Sequence, residues 1–172
     1  MNTNITNNIR RFFIIVLIQV LILKQINIGW GGYHYIQLFI YPVFILLMPL
    51  KTKRFVLLLL AFFVGIIIDM FYDSPGLHTS ALVFLAYIRR YVLKFLEPVE
   101  GYNIDATPTI KTFGLDWFLI YSTVLVFFNI LWYFSMEAFS FQYISDIMLK
   151  TIFSFIFSEI IILLYVAILN PK

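Results

Sequence analysis

The chain has 172 residues, of which 62% are hydrophobic and 12% charged, with a mean hydropathy of +0.95. Soluble domains are typically about half apolar and a quarter charged, so an ordinary soluble fold is excluded, and the length suits roughly six spans of about 20 residues with no separate soluble module. The absence of cysteine excludes disulfides, thiol catalysis and zinc–thiolate sites, two histidines are too few for a histidine-only metal site, and the net charge of +3 is carried by loops flanking apolar runs rather than by a nucleic-acid-binding patch.

Residues 1–172 read as a single integral membrane domain, all-α, with about six transmembrane helices near 11–28, 35–50, 55–72, 77–95, 117–136 and 147–169. The polar tail Met1–Asn8 and the pair Arg10–Arg11 precede the apolar run Phe12–Leu23. No small-residue cleavage site follows, so this is a retained first helix rather than a signal peptide. Gly29-Trp30-Gly31-Gly32-Tyr33 is expected to be a loop with aromatics at headgroup level. The second span, Tyr35–Leu50, is short and carries Pro42 and Pro49, which predicts a kinked or tilted helix. The third and fourth spans are joined at Asp73-Ser74-Pro75-Gly76, and the fourth ends in Arg89, Arg90 and Lys94, cations suited to a helix C-terminus and to lipid phosphates. Glu97–Leu115 is the longest polar stretch. The sixth span opens with Asp146 and Lys150, spaced as a helical ion pair.

If the N-terminus is cytoplasmic, 10 of the 12 basic residues fall on the inside and only Lys24 and Lys150 outside. The positive-inside rule then puts both termini in the cytoplasm. In that arrangement Asp69 lies toward the outer face, and Gln19 and Glu159 share a level in the inner half.

Ala61, Gly65 and Asp69 are four residues apart and share one helix face. Small residues there let another helix approach and turn the carboxylate toward protein. Gly76 allows the turn that brings the next helix N-terminus, with its free N–H groups, toward Asp69. Asp69 therefore reads as a structural anchor of the outer turn or as part of a partner-binding face. His78 reads as a pH-sensitive group or, more plainly, an interfacial hydrogen-bond donor. Glu159, with Thr151, Ser154 and Ser158 on neighbouring turns, reads as interhelical glue bonded to Gln19 or Ser158; ion or proton handling would need a polar path. Ser74, Ser80 and His78 lack the glycine-flanked elbow of a hydrolase, and no phosphate-cradling loop is present. Nothing in the sequence argues for catalysis or for a cofactor.

Gly65-Ile66-Ile67-Ile68-Asp69, followed by Gly76-Leu77-His78 opening an apolar helix that ends in Tyr87-Ile88-Arg89-Arg90, resembles the rod shape-determining MreD family. The continuation Tyr91–Tyr102 and Pro108-Thr109-Ile110-Lys111 is similar to the form found in Bacteroidetes-type bacteria. The resemblance implies a non-enzymatic, multi-pass subunit of the bacterial inner (cytoplasmic) membrane. Such a subunit belongs to the machinery that inserts peptidoglycan along the side wall. It works with MreC, the MreB cytoskeleton, and RodA with its penicillin-binding transpeptidase. The family's likeness to the substrate-binding subunits of vitamin-type energy-coupling-factor transporters implies the alternative, a small-molecule-binding membrane subunit. A scaffold needs an exposed small-residue or apolar face, for which Ala61 and Gly65 are the candidates; a transporter subunit needs a cavity of converging polar groups.

Overall fold

The structure, a computed structural model, describes residues 3–26, 28–30, 33–103 and 106–169. Helix α1 (Thr3–Leu17) continues through a π-helical turn, Ile18–Ile22, and a 3-10 turn, Leu23–Gln25. A small antiparallel hairpin follows, β1 (Ile28–Trp30) and β2 (Tyr33–Ile36), and then the short α2 (Pro42–Leu46). The remaining helices are α3 (Arg54–Tyr72), α4 (Leu77–Phe95), α5 (Ile110–Phe113), α6 (Leu115–Ala138) and α7 (Ile144–Leu169). Each long helix packs mainly on its neighbour in this order, α3 on α4, α4 on α6 and α6 on α7.

Three helices, α3, α6 and α7, are long and apolar enough to cross a membrane. The chain is a membrane protein on that ground. Helix α4 equals α3 in length but carries Arg89, Arg90 and Lys94. The expected boundaries near 55–72, 77–95, 117–136 and 147–169 fall within a few residues of these four helices. The first helix starts earlier than expected, at Thr3, inside what the sequence suggests is a polar tail.

The second expected span is not a helix. From Leu38 to Met48 every residue is buried, yet only Pro42–Leu46 is helical. Pro42 occupies the first helical position, where its missing N–H costs nothing. The chain before it runs extended between α1 and α7, and its polar backbone is met by side chains on both edges. On one edge the N–H groups of Gln37 and Phe39 donate to Ser154 Oγ (3.0 Å) and Ser158 Oγ (2.9 Å) of α7. Serines four apart on a helix are separated by about 6 Å, which matches the two-residue repeat of an extended chain, about 6.6 Å. On the other edge, the Gln19 amide donates to the Leu38 carbonyl (2.9 Å) and accepts from the Ile40 N–H (2.8 Å). One side-chain amide thus does the work of a neighbouring strand. Gln19 also donates to Tyr72 Oη (2.7 Å), whose hydroxyl donates to the Gln19 carbonyl (3.1 Å).

At the far end of the segment the freed carbonyls of α2 meet cations and a phenol. Leu46 accepts from Tyr121 Oη (3.0 Å), Leu47 from Arg11 (3.5 Å) and Met48 from Arg89. Arg89 is only 2% exposed and also donates to Tyr121 Oη at 2.7 Å. It does not snorkel, because it continues the inward face of Leu82, Leu85 and Ala86, whereas Arg90 is exposed.

Two further expectations change. Within the Gly29–Tyr33 stretch Trp30 pairs with Tyr33 in an antiparallel hairpin rather than a loop; residues 31–32 lie outside the described residues. Lys150 bonds Glu137 on α6 at 3.3 Å, in place of the pair with Asp146 that the helical spacing suggests.

If Gln19 and Ser158 hold the extended segment, Gln19→Leu should strip partners from Leu38 and Ile40, and Ser158→Ala from Phe39. A buried backbone group left unpaired costs about 1–3 kcal/mol. Unfolding of detergent-purified variants should show Gln19→Leu destabilised more than Ser158→Ala; wild-type stability in Gln19→Leu would refute the assignment.

Candidate functional site

The turn between α3 and α4 is assembled around one carboxylate. Helix α3 stops as Asp73 enters the left-handed region (φ 52°) and its N–H bonds to the Asp69 carbonyl. Gly76, at φ 87°, then starts α4. The Asp69 side chain is 6% exposed and accepts five hydrogen bonds. Oδ1 takes the Ser74 hydroxyl (3.1 Å) and the His78 N–H (2.9 Å). Oδ2 takes the N–H groups of Gly76 (3.1 Å) and Thr79 (3.0 Å) and the Thr79 hydroxyl (2.5 Å). An N-cap is ordinarily supplied by the residue just before a helix; here the preceding helix supplies it, and the charge faces the positive end of the α4 dipole.

One turn earlier, a β-carbon on Gly65 would overlap the Thr79 Cα and sit 2.9 Å from its Oγ1. Glycine is therefore demanded by the approach of α4. Ala61, on the same face, is fully buried. Gly65 and Asp69 of this face meet the chain's own α4 and Ala61 is buried, so the face is not free for a partner's span.

His78 departs furthest from expectation. Its ring is fully buried instead of serving as an interfacial donor. Ring centroids lie at 4.7 Å to Tyr72, 4.7 Å to Tyr133, 5.2 Å to Tyr41 and 6.0 Å to Phe39. The cause is Asp69, which holds the His78 backbone and so directs the side chain inward onto the extended segment. Among the described residues, neither His78 ring nitrogen nor Tyr41 Oη has a hydrogen-bond partner.

Glu159 on α7 is 8% exposed. Neither Gln19 nor Ser158 is its partner, because both serve the extended segment; Oε1 instead accepts from Ser122 Oγ on α6 at 2.5 Å. Oε2, the Asn129 amide and Thr151 Oγ1 are buried without partners among the described residues. The structure therefore brings Ala61, Gly65, Asp69, Gly76 and His78 into one unit at the α3–α4 turn, and leaves Glu159 in a separate contact between α6 and α7. Sequence reasoning missed Tyr121, Ser122 and the inward role of Arg89. Helical spacing from Leu82 to Arg89 carried a signal for the last; the first two look like any apolar-span residue.

These features define a polytopic helical membrane protein with a carboxylate-capped helical hairpin and an extended segment within its bundle. No family model, curated protein or solved structure matches the chain.

Substitutions at the turn should rank by what each removes. Gly76→Ala meets open space and bears only the left-handed backbone, about 1–2 kcal/mol. Gly65→Ala drives a methyl into the Thr79 backbone, with overpacking typically costing about 1–3 kcal/mol. Asp69→Asn turns an amide NH₂ toward groups that are all donors, so it should destabilise, and Asp69→Leu should be worse because every donor is orphaned. Chemical unfolding in micelles measures the series, and a neutral Asp69→Asn would contradict the cap.

At Glu159 the expected order is different. Glu159→Gln keeps an acceptor for Ser122 and should be near neutral, whereas Glu159→Leu removes it. Hydrogen bonds inside membrane proteins average about 0.6 kcal/mol, so the loss should be small. Chemical unfolding in micelles measures both, and a strongly destabilised Glu159→Gln would contradict the Ser122 assignment.

Proposed function

We propose that the chain is an MreD-type, non-enzymatic subunit of the cell-wall elongation machinery in the bacterial inner membrane. In this role it scaffolds MreC and the peptidoglycan synthases RodA and its penicillin-binding transpeptidase, in contact with the MreB cytoskeleton. The observation that carries the reading is the unity of the residues behind the resemblance. Gly65, Asp69, Gly76 and His78 are not scattered matches but parts of one hydrogen-bonded, close-packed turn. Because the small-residue face is not free, MreC is proposed to dock elsewhere, on helix surfaces exposed at the edge of the bundle such as that of α3 bearing Phe62 and Met70.

The proposed topology has six crossings with both termini cytoplasmic. Five are helices and one is the extended segment with α2. Five extended residues, Ile36–Ile40, and the five of α2 together cover roughly 25 Å, close to the hydrocarbon thickness of about 30 Å. The contacts of the segment support the same path: one end lies beside Tyr72, where α3 ends, and the other beside Arg89, late in α4. The split of basic residues supports the sidedness.

The alternative, a small-molecule-binding subunit of a vitamin-type transporter, draws support from the buried polar atoms without partners at His78, Tyr41, Asn129 and Thr151. Affinity purification in mild detergent with mass spectrometry separates the two. Recovery of MreC and RodA is the expected outcome, and recovery of an ATPase pair with a coupling subunit would favour transport. Reporter fusions after Lys53 and within 103–110 should read cytoplasmic and fusions at Ser74 external; an external signal from 103–110 would overturn the topology.

A further inference from the structure

Helices α3 and α4 form a hairpin that closes most tightly where Gly65 meets Thr79. Eleven residues from that contact, back along α3 and forward along α4, stand Arg54 and Arg90. Equal rise along the two helices puts these cations at one level, and both are exposed. The Arg54 guanidinium lies over the Tyr87 ring, 4.7 Å from its centroid. The Tyr91 hydroxyl donates to Tyr87 Oη at 3.4 Å, which leaves the Tyr87 proton for another acceptor. Neither arginine forms an ion pair among the described residues. Arg54 and Arg90 are the charged side chains whose fields reach Tyr91, whereas Glu97, the acid nearest to it in sequence, acts on Tyr102.

From this arrangement we propose that Arg54, Tyr87, Arg90 and Tyr91 bind the phosphate of an anionic glycerophospholipid on the outer surface of the hairpin. Two like charges held at one level on adjacent helices repel, and a phosphate between them turns that repulsion into attraction. Stacking on an aromatic ring orders a guanidinium without a carboxylate, so Arg54 is positioned yet keeps its charge for an anion. The depth selects a lipid as the source of the phosphate. Arg54 is the first residue of a helix long and apolar enough to cross a membrane, which sets it where hydrocarbon gives way to headgroups. Arg89, beside the site in sequence, takes no part, since it is buried and bonded to Met48 and Tyr121. The site requires only that α3 and α4 lie in a bilayer, so it stands or falls apart from the cell-wall reading.

Native mass spectrometry of the full chain, delipidated in detergent and titrated with phosphatidylglycerol or phosphatidylcholine, tests it. One basic residue near the phosphate favours an anionic lipid about fivefold, so two should give the wild type a preference of about 25-fold for phosphatidylglycerol. Arg54→Gln and Arg90→Gln should each reduce it to about fivefold. Tyr87→Leu keeps every charge but removes the ring under Arg54, and should lower the preference by about two- to fivefold; Tyr87→Phe, which keeps the ring, should lower it less. Lys111→Gln, an exposed cation on α5, should change nothing. Melting curves identify any variant that fails to fold, and if one arginine variant does, the other decides. An equal loss in Lys111→Gln would mean only a diffuse positive surface. Displacement of phosphatidylglycerol by inorganic phosphate would make a free anion the ligand, and an unaltered preference in both arginine variants would put the lipid elsewhere. Each of these three results would overturn the proposal.

Discussion

A bilayer offers no water to an open backbone, and this chain carries a buried extended segment packed against α7, one of three helices long and apolar enough to cross a membrane. The cost of an unpaired N–H or C=O in hydrocarbon is several kcal/mol, so the surrounding helices must present polar atoms at the right intervals. Gln19 on the π-helical turn after α1 and the serines of α7 do so. Their placement explains why an otherwise apolar protein keeps these polar side chains at zero exposure. The π-helical turn at Ile18–Ile22 belongs to the same arrangement, since it contains Gln19 and shifts the register of α1 where its amide is needed.

Both ends of the segment are tied to the α3–α4 hairpin. At one end Asp69 gathers the first turn of α4 and thereby sets His78 against Phe39 and Tyr41. At the other, Arg89 of the same helix closes the carbonyl end of α2 through Met48 and Tyr121. Helix α4 is consequently the element that reads both ends. Its closeness to α3, enforced at Gly65, sets where those two contacts fall.

Much of the hairpin was legible in the sequence. Spacing placed Ala61, Gly65 and Asp69 on one face, and the Asp-Ser-Pro-Gly turn with a following helix start located the cap. Those are local signals, set by residues within about ten positions of one another. What spacing could not reveal was which surface the face would meet, because that depends on packing: Gly65 and Asp69 meet α4 itself. The extended segment was illegible for a related reason. Its residues are uniformly apolar, so periodicity gave neither a helical nor a strand pattern. Pro42 and Pro49 argued only against a regular helix, and the groups that make an extended path tolerable lie far away in the chain. Glu159 was likewise matched to the wrong partner, since equal depth on two helices does not mean that they face each other.

The distance in sequence between the extended segment and its serines has a consequence for biosynthesis. Phe39 is bonded to Ser158, 119 residues later. At a synthesis rate of about 5–20 residues per second, the Phe39 N–H is made roughly 6–24 s before its acceptor exists. Throughout that interval the Phe39 N–H lacks the partner it has in the finished fold. The packing of the N-terminal third is therefore completed only by α7, made at the far end of the described chain.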